Sequence, residues 1–264
     1  MHRRLRNIPF FSDFLRFVRA YLMAVKIPKV NSLGFYVNGN DEQARGVYEV
    51  EIATYLKANY TKYDRIINVG ANIGYWPLFL RSLSFTGRID AIEPDYFNFL
   101  QLKKNIARNN FNVNLHNVAV SNVNSKITLY GFGTGISSLK GWAGGYSRRK
   151  QDISCIKLDQ LFDSQFKNTL LIIDVEGAEL DVLASGKKFL QGHSEILVEI
   201  SLSEHVPSDN NLNPTFLDTF QLMDEYGYSS YTWCEDFALL NKNSLSKIMN
   251  GEISPTIQMY CFKK

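Results

Sequence analysis

The hydrophobic residues of this chain follow two patterns, short apolar runs and longer segments whose apolar positions lie three and four residues apart. The runs suit strands buried on both faces, and the spaced segments suit amphipathic helices. Because the two patterns alternate, the sequence predicts an α/β fold with a mostly parallel sheet and helices on both faces. The predicted strands are Ile66–Val69, Gly87–Ile92, Val113–Val120, Ile127–Phe132, Thr169–Ile173, Ile196–Ile200, Tyr228–Trp233 and Ile257–Phe262, and the predicted helices include Tyr75–Leu83, Asp95–Asn109 and Pro214–Tyr226.

The first strand runs into a glycine-containing loop, Asn68 to Gly74, and a helical segment follows. Gly70 and Gly74 permit a tight turn close to a ligand, and the helix start offers free N–H groups to an anion. A dinucleotide fingerprint would need three glycines, whereas Ala71 follows Gly70 and Asn72 holds the second glycine position. The loop therefore favours a carboxylate over a pyrophosphate, and S-adenosylmethionine (SAM) carries such a carboxylate on its methionine half.

The second strand ends in Glu93, 23 residues after Gly70, which is the length of one strand–helix–strand unit. An acid at this strand end can accept hydrogen bonds from both hydroxyls of an adenosine ribose. Taken alone, Glu93 is equally well explained as a solvated carboxylate, and the glycine loop favours the ribose role. The third strand ends near Ala119, a small residue where the adenine ring would lie.

The strand Thr169–Ile173 delivers three carboxylates, those of Asp174, Glu176 and Glu179, to its end. A carboxylate after five apolar residues needs a partner such as an acceptor hydroxyl, a metal or a positive group. Ligands in open α/β sheets bind beyond the carboxyl ends of the strands, so Asp174 and Glu176 should meet the cofactor site. Glu179 suits the start of the next helix and is interpreted as structural.

The N-terminal residues 1–33 differ from the rest and are predicted to form an amphipathic helical extension to a methyltransferase-sized domain, 34–264. Its apolar residues share one helical stripe: Phe10, Phe11, Phe14, Leu15, Val18, Leu22 and Val25. The stripe suits a cover for the core or a homodimer interface, and it equally suits a peripheral helix on a membrane that carries anionic lipid.

The composition narrows the partners and the compartment. The net charge of +3 and the absence of a long basic block argue against a nucleic-acid partner. Three widely spaced cysteines show no metal or redox spacing and suit a reduced, cytoplasmic protein, membrane-associated if the N-terminal helix binds lipid. The glycine- and aromatic-rich segment 131–150 is predicted to be a substrate loop.

Five segments of the chain resemble, in order, the FkbM family of SAM-dependent methyltransferases. They are Gly46-Val47-Tyr48-Glu49, Asn68-Val69-Gly70-Ala71-Asn72-Ile73-Gly74, Ile92-Glu93-Pro94, Leu158-Asp159 and Ile173-Asp174-Val175-Glu176-Gly177-Ala178-Glu179, with Glu199 extending the match. The family carries an acid at the position of Asn68. The resemblance implies a Rossmann-like class I methyltransferase with seven strands, the last one antiparallel.

The resemblance also implies O-methylation, on a hydroxyl of a sugar, a glycan or a small metabolite. The cofactor site would comprise Asn68, Gly70, Ala71, Asn72, Gly74, Glu93, Ala119 and Asp174. The candidate bases that take the hydroxyl proton are Asp174, Glu176 and His205, and no ligand spacing demands a metal. A non-catalytic nucleoside-binding module and a nicotinamide-dependent oxidoreductase stay open as alternatives.

Overall fold

A computed structural model describes residues 9–130, 150–162, 168–192, 194–202, 213–233 and 237–264. The helices are α1 (Pro9–Val25), α2 (Asp41–Arg45), α3 (Val50–Asn59), α4 (Tyr75–Ser82), α5 (Tyr96–Asn109), α6 (Leu158–Leu161), α7 (Glu179–Ala184), α8 (Lys187–Gln191), α9 (Phe216–Glu225) and α10 (Lys242–Met249), with a 3₁₀ turn at Tyr60–Lys62. The strands are β1 (Lys29–Val30), β2 (Tyr36–Val37), β3 (Arg65–Val69), β4 (Arg88–Ile92), β5 (Asn114–His116), β6 (Ala119–Val120), β7 (Lys126–Tyr130), β8 (Lys150–Ile156), β9 (Thr169–Ile173), β10 (Glu195–Glu199), β11 (Ser229–Trp233), β12 (Phe237–Leu239) and β13 (Met259–Lys263).

The main sheet has the strand order β12-β11-β13-β10-β9-β3-β4-β5. Neighbouring strands from β10 to β5 are parallel, and β13 inserts antiparallel between β10 and β11. The order reverses between β3 and β9, so their carboxyl ends open a crevice at the switch point. The fold is the Rossmann-like class I methyltransferase fold.

Three details differ from the sequence prediction. The sheet has eight strands rather than seven, because β12 adds an antiparallel edge to β11. The predicted third strand 113–120 is divided: β5 pairs with β4, whereas β6 leaves the main sheet and pairs with β8. The strand β8 was not predicted, and it joins β6 and β7 in a second sheet of three strands.

Apolar side chains fill both faces of the main sheet. Successive strand residues point to opposite faces, so Ile66 packs with α3, α4 and α5 while Ile67 packs with α7, α8 and α9. Both isoleucines are fully buried. This three-layer arrangement explains why the central strands read as continuous apolar runs in the sequence.

The helix α1 packs against α5 on one outer surface of the molecule. Ala20 and Ala24 are buried there against Phe97 and Leu100. Nζ of Lys104 donates to the Ala24 carbonyl at 2.7 Å, which fixes the end of the helix. Within the described residues, no helix is both long enough and apolar enough to span a bilayer.

Candidate active site

A cleft opens at the carboxyl ends of β3, β4 and β9 and beside β6. Its wall includes Gly70, Asn72, Glu93, Ala119, Asp174 and Glu176. The backbone holds these strand ends together, since Gly70 N donates to the Ile92 carbonyl at 3.0 Å and Asp174 N donates to the Val69 carbonyl at 3.0 Å. The predicted cofactor residues Gly70, Glu93 and Asp174 are far apart in the chain, and the fold brings them together at one edge of the sheet.

A glycine is required at position 70 because the ends of β3 and β9 come close together there. Its φ is +81°, and a Cβ added there would stand 1.7 Å from the carbonyl oxygen of Asp174. No side chain fits this contact, because the obstacle is backbone that is fixed by its own strand. Gly70 thus lets Asp174 lie directly beside the first loop.

The carboxylate of Glu93 fixes the backbone of the glycine-containing loop Asn68 to Gly74. Its Oε2 accepts from the Asn72 amide and its Oε1 accepts from the Asp95 amide, both at 2.8 Å. Burial, reinforced by the charge of Asp95, raises the pKa of Glu93 to about 8, although these hydrogen bonds oppose the shift. A carboxylate with two oxygens in this position can accept from the vicinal hydroxyls of a ribose.

Three of the residues predicted for the cofactor lie off the cleft wall. The side chain of Asn68 is buried on the α3–α5 side of the sheet, and neither of its polar atoms has a hydrogen-bond partner among the described residues. Ala71 is buried in the apolar core of the same side. Gly74, with φ +87°, begins α4, and a Cβ there would meet Leu102 Cδ1 at 2.4 Å. Close packing of α4 on α5 explains this glycine.

Asp174 lines the cleft and is influenced by several other carboxylates. Burial, together with the charges of Glu199, Glu176, Glu49 and Glu179, raises its pKa well above the ordinary aspartate value. Glu179 is itself 1% exposed, and its Oε1 accepts from the Gly177 amide at 2.6 Å, as expected for a helix-starting residue. Asp174 and Glu176 line the cleft, whereas Glu49 and Glu199 act on Asp174 through their charges, and we call these four carboxylates the acidic wall.

Glu49, to which the sequence assigned no role, acts on Asp174 through its charge. It is held in the left-handed region, with φ 42° and ψ 64°, directly before α3. Burial raises the pKa of Glu49, while a hydrogen bond from the Tyr48 hydroxyl lowers it. A strained non-glycine residue beside a cleft is typical of functional sites. The signal in the sequence was the Gly46-Val47-Tyr48-Glu49 segment of the family resemblance.

Two predicted features lie wholly or largely outside the described residues. They are His205, proposed as a base, and the predicted substrate loop 131–150, of which only Lys150, the first residue of β8, is described. In the described part of the chain, no group of three or more His, Cys, Asp or Glu side chains could hold a metal ion.

A model of the FkbM methyltransferase domain matches residues 68–230, which is more than half of the chain. The chain belongs to the FkbM methyltransferase family. This FkbM protein is an S-adenosylmethionine-dependent methyltransferase, and the match begins at Asn68 and includes Glu93 and Asp174.

Solved structures of several methyltransferases are similar to this FkbM protein. Precorrin-6y C5,15-methyltransferase from Geobacter metallireducens is 12% identical over 83% of this chain and 92% of its own, with a TM-score of 0.46. An rRNA methylase from Streptococcus thermophilus is 10% identical over 81% and 96%, with a TM-score of 0.43. An O-methyltransferase from Bacillus cereus in complex with SAH is 14% identical over 94% and 97%, with a TM-score of 0.41. No curated protein sequence matches the chain.

The cleft of this FkbM protein contains buried hydrogen-bond acceptors that lack a donor in the described part of the chain, and SAM carries donors that suit them. Oδ1 of Asn72 and Oδ1 of Asn98 are buried, and neither has a hydrogen-bond partner in the described part of the chain. Buried acceptors are costly unless a donor reaches them. SAM presents ribose hydroxyls and an ammonium group as donors, so Asn72, Asn98 and Glu93 are the residues that would hold it.

Proposed function

We propose that this FkbM protein transfers a methyl group from SAM to a hydroxyl group of a sugar, a glycan or a small polyhydroxylated metabolite. The observation that carries the proposal is the position of Asp174. It lies on the cleft wall next to the first glycine loop, and its pKa is raised by burial and by neighbouring carboxylates. A carboxylate with a raised pKa is a stronger base than an ordinary aspartate.

The proposed role of Asp174 follows from the proton balance of the reaction. SAM supplies a methyl group on a sulfonium, which leaves as a neutral thioether. The acceptor oxygen becomes an ether and must lose its proton, and the carboxylate of Asp174 takes that proton. Burial raises the pKa of Asp174, and the charges of Glu199 and Glu176 raise it further, so both effects strengthen this base.

The acidic wall also favours a class of acceptor. Carboxylates accept hydrogen bonds from neutral hydroxyl groups, which sugars present in pairs. The same charges repel phosphates, so a nucleic-acid backbone would be excluded from this side of the cleft. This supports the neutral polyhydroxyl class over RNA, the substrate of one of the structural neighbours.

The test is a panel of acceptors incubated with SAM that carries a labelled methyl group. The panel holds methyl glycosides, oligosaccharides, hydroxylated metabolites, amines and a structured RNA. We expect label in a hydroxylated neutral acceptor as an ether, identified by mass and by its stability to base. Label in RNA or in amines, with none in any hydroxylated acceptor, would contradict the proposal. Binding of SAM with no transfer to any acceptor would favour a non-catalytic module.

A further inference from the structure

The helix α1 contacts the domain through its small residues. The side chains of Ala20 and Ala24 pack on α5, and the rings of Phe17 and Phe97 meet edge to face with centroids 5.4 Å apart. Nδ2 of Asn38 donates to the Met23 carbonyl at 2.5 Å, so both sides of the helix end are fixed. Where a core helix would place only large residues, this face carries two alanines beside Phe17.

Three large apolar residues of α1 point outward instead. Leu15 is 45% exposed, Leu22 is 58% exposed and Val25 is 44% exposed. Their spacing places them on one side of the helix, with Val18 between them and Tyr21 next to them. Ile27 and Val30, in the segment that follows, are 75% and 56% exposed. Leu15, Leu22 and Val25 belong to the predicted stripe, and they therefore do not cover the core. A contiguous apolar surface is left exposed.

Basic residues flank this apolar surface. Arg19 and Lys26 lie four residues after Leu15 and Leu22, at the border of the same face, and Lys29 follows. All three are exposed. The sequence contains no Asp or Glu between residues 14 and 40. Residues 1–40 carry seven Lys and Arg and one acid, so the remainder of the chain has an excess of acids although the whole has a net charge of +3.

We propose that α1 and the following segment form a docking surface for a membrane that contains anionic lipid. We call this surface, composed of Leu15, Val18, Tyr21, Leu22, Val25, Ile27 and Val30 with Arg19, Lys26 and Lys29, the α1 surface. An apolar face bordered by cations lies at the boundary of acyl chains and headgroups, with the long basic side chains reaching the phosphates.

A second copy of the chain fits the α1 surface less well. A symmetric dimer places the same patch of each copy against the other. The two patches together would bring six basic residues, Arg19, Lys26 and Lys29 of each copy, into one interface, and residues 14–40 supply no acid to compensate them. Anionic lipid matches both the apolar face and its charge.

The docking would place the edge of the sheet that carries the cleft beside the membrane. α1 runs parallel to α5, since Phe17 lies at Phe97 and Ala24 lies at Lys104. α5 begins directly after Pro94 on the cleft wall. The N-terminal end of α1 therefore points to the same edge of the sheet as the cleft, which would bring a lipid-anchored acceptor within reach.

The test is flotation of the full chain with vesicles of phosphatidylcholine alone and of phosphatidylcholine mixed with phosphatidylglycerol. We expect binding to the anionic vesicles and little to the neutral ones, with the bound fraction falling as salt is added. Each basic residue near an anionic surface changes partitioning roughly fivefold. The triple variant Arg19→Gln/Lys26→Gln/Lys29→Gln should therefore bind at least about twentyfold more weakly. Leu22→Ser/Val25→Ser should also lose binding.

The matched control is Lys187→Gln/Lys188→Gln/Lys242→Gln, which removes the same charge from exposed residues of helices on the opposite face. It should bind like the wild type, and thermal melting should show that all variants fold. Equal binding by the two triple variants, or no binding by the wild type, would overturn the proposal. A wild-type dimer that Leu22→Ser/Val25→Ser converts to a monomer, without vesicle binding, would assign the α1 surface to a second copy.

Discussion

At the scale of single residues, the protonation state of Glu93 should make the affinity for the cofactor depend on pH. Its two oxygens hold the Asn72 and Asp95 amides, yet burial raises its pKa to about 8. Ribose hydroxyls donate more strongly to the ionised carboxylate, so cofactor binding should release the proton. Affinity then increases with pH up to about 8 and becomes constant above it.

We therefore predict that the affinity for S-adenosylhomocysteine increases by up to about tenfold per pH unit from roughly pH 6 to 8. Isothermal titration calorimetry in buffers of different ionisation enthalpy measures both the affinity and the released proton. Glu93→Gln serves as the control, because it cannot release a proton and should show a weaker, flatter response. The same slope in both proteins would remove Glu93 from the titration.

Residue types and spacing predicted Glu93 and Asp174, because each directly follows a buried apolar run. Glu49 could not be found in this way. It reaches the acidic wall from a loop before α3, and its left-handed backbone depends on contacts that the local sequence does not encode. Asn68 shows the converse, since the family resemblance suggested a site residue and the structure buries its side chain off the cleft.

At the scale of elements, Asp90 ties three neighbouring strands together. It is fully buried on β4 and accepts from Arg65 Nε of β3 at 2.9 Å and from Asn114 Nδ2 of β5 at 3.1 Å. Hydrogen bonds from His116 and Arg88 also lower the pKa of Asp90, and they outweigh the effect of burial. This network aligns the strands whose far ends build the cofactor cleft.

Asp90→Asn should lower the free energy of unfolding by about 3 to 5 kcal/mol, because it leaves the nearly buried Arg65 without its counter-ion. Urea unfolding at neutral pH measures the loss. Because the pKa of Asp90 is lowered in the folded state, its contribution is complete above about pH 4 and decreases as the pH falls below that value. The exposed Asp224→Asn should stay within about 0.5 kcal/mol of the wild type. A similar small change for Asp90→Asn would show that the network contributes nothing.

Elements with strong local patterns were predictable, and those defined by distant partners were not. β3, β4 and β9 bear this out, because each consists mainly of buried residues, most of them apolar. β8 reads as a mixed polar segment because its partners β6 and β7 belong to a small sheet with exposed positions. The break between β5 and β6 follows from that second sheet, which draws Ala119 away from β4.

At the scale of the whole molecule, the fold brings the two halves of the candidate active site, one for the cofactor and one rich in carboxylates, to the same edge of the main sheet. Gly70, Asn72 and Glu93 supply the first half, and the acidic wall around Asp174 supplies the second. Methyl transfer needs mainly alignment of the two reactants, worth about 7 to 11 kcal/mol in favourable cases, together with removal of the hydroxyl proton. The central claim is that Asp174 removes that proton.

The measurement that tests this claim most directly compares wild type with Asp174→Asn in two assays, affinity for S-adenosylhomocysteine and turnover with the best hydroxylated acceptor. The substitution keeps the size of the side chain and removes the base. We expect the affinity to change by less than about threefold and turnover to fall about 100- to 10,000-fold, the usual contribution of a general base. Turnover equal to that of the wild type, with affinity unchanged, would contradict the account.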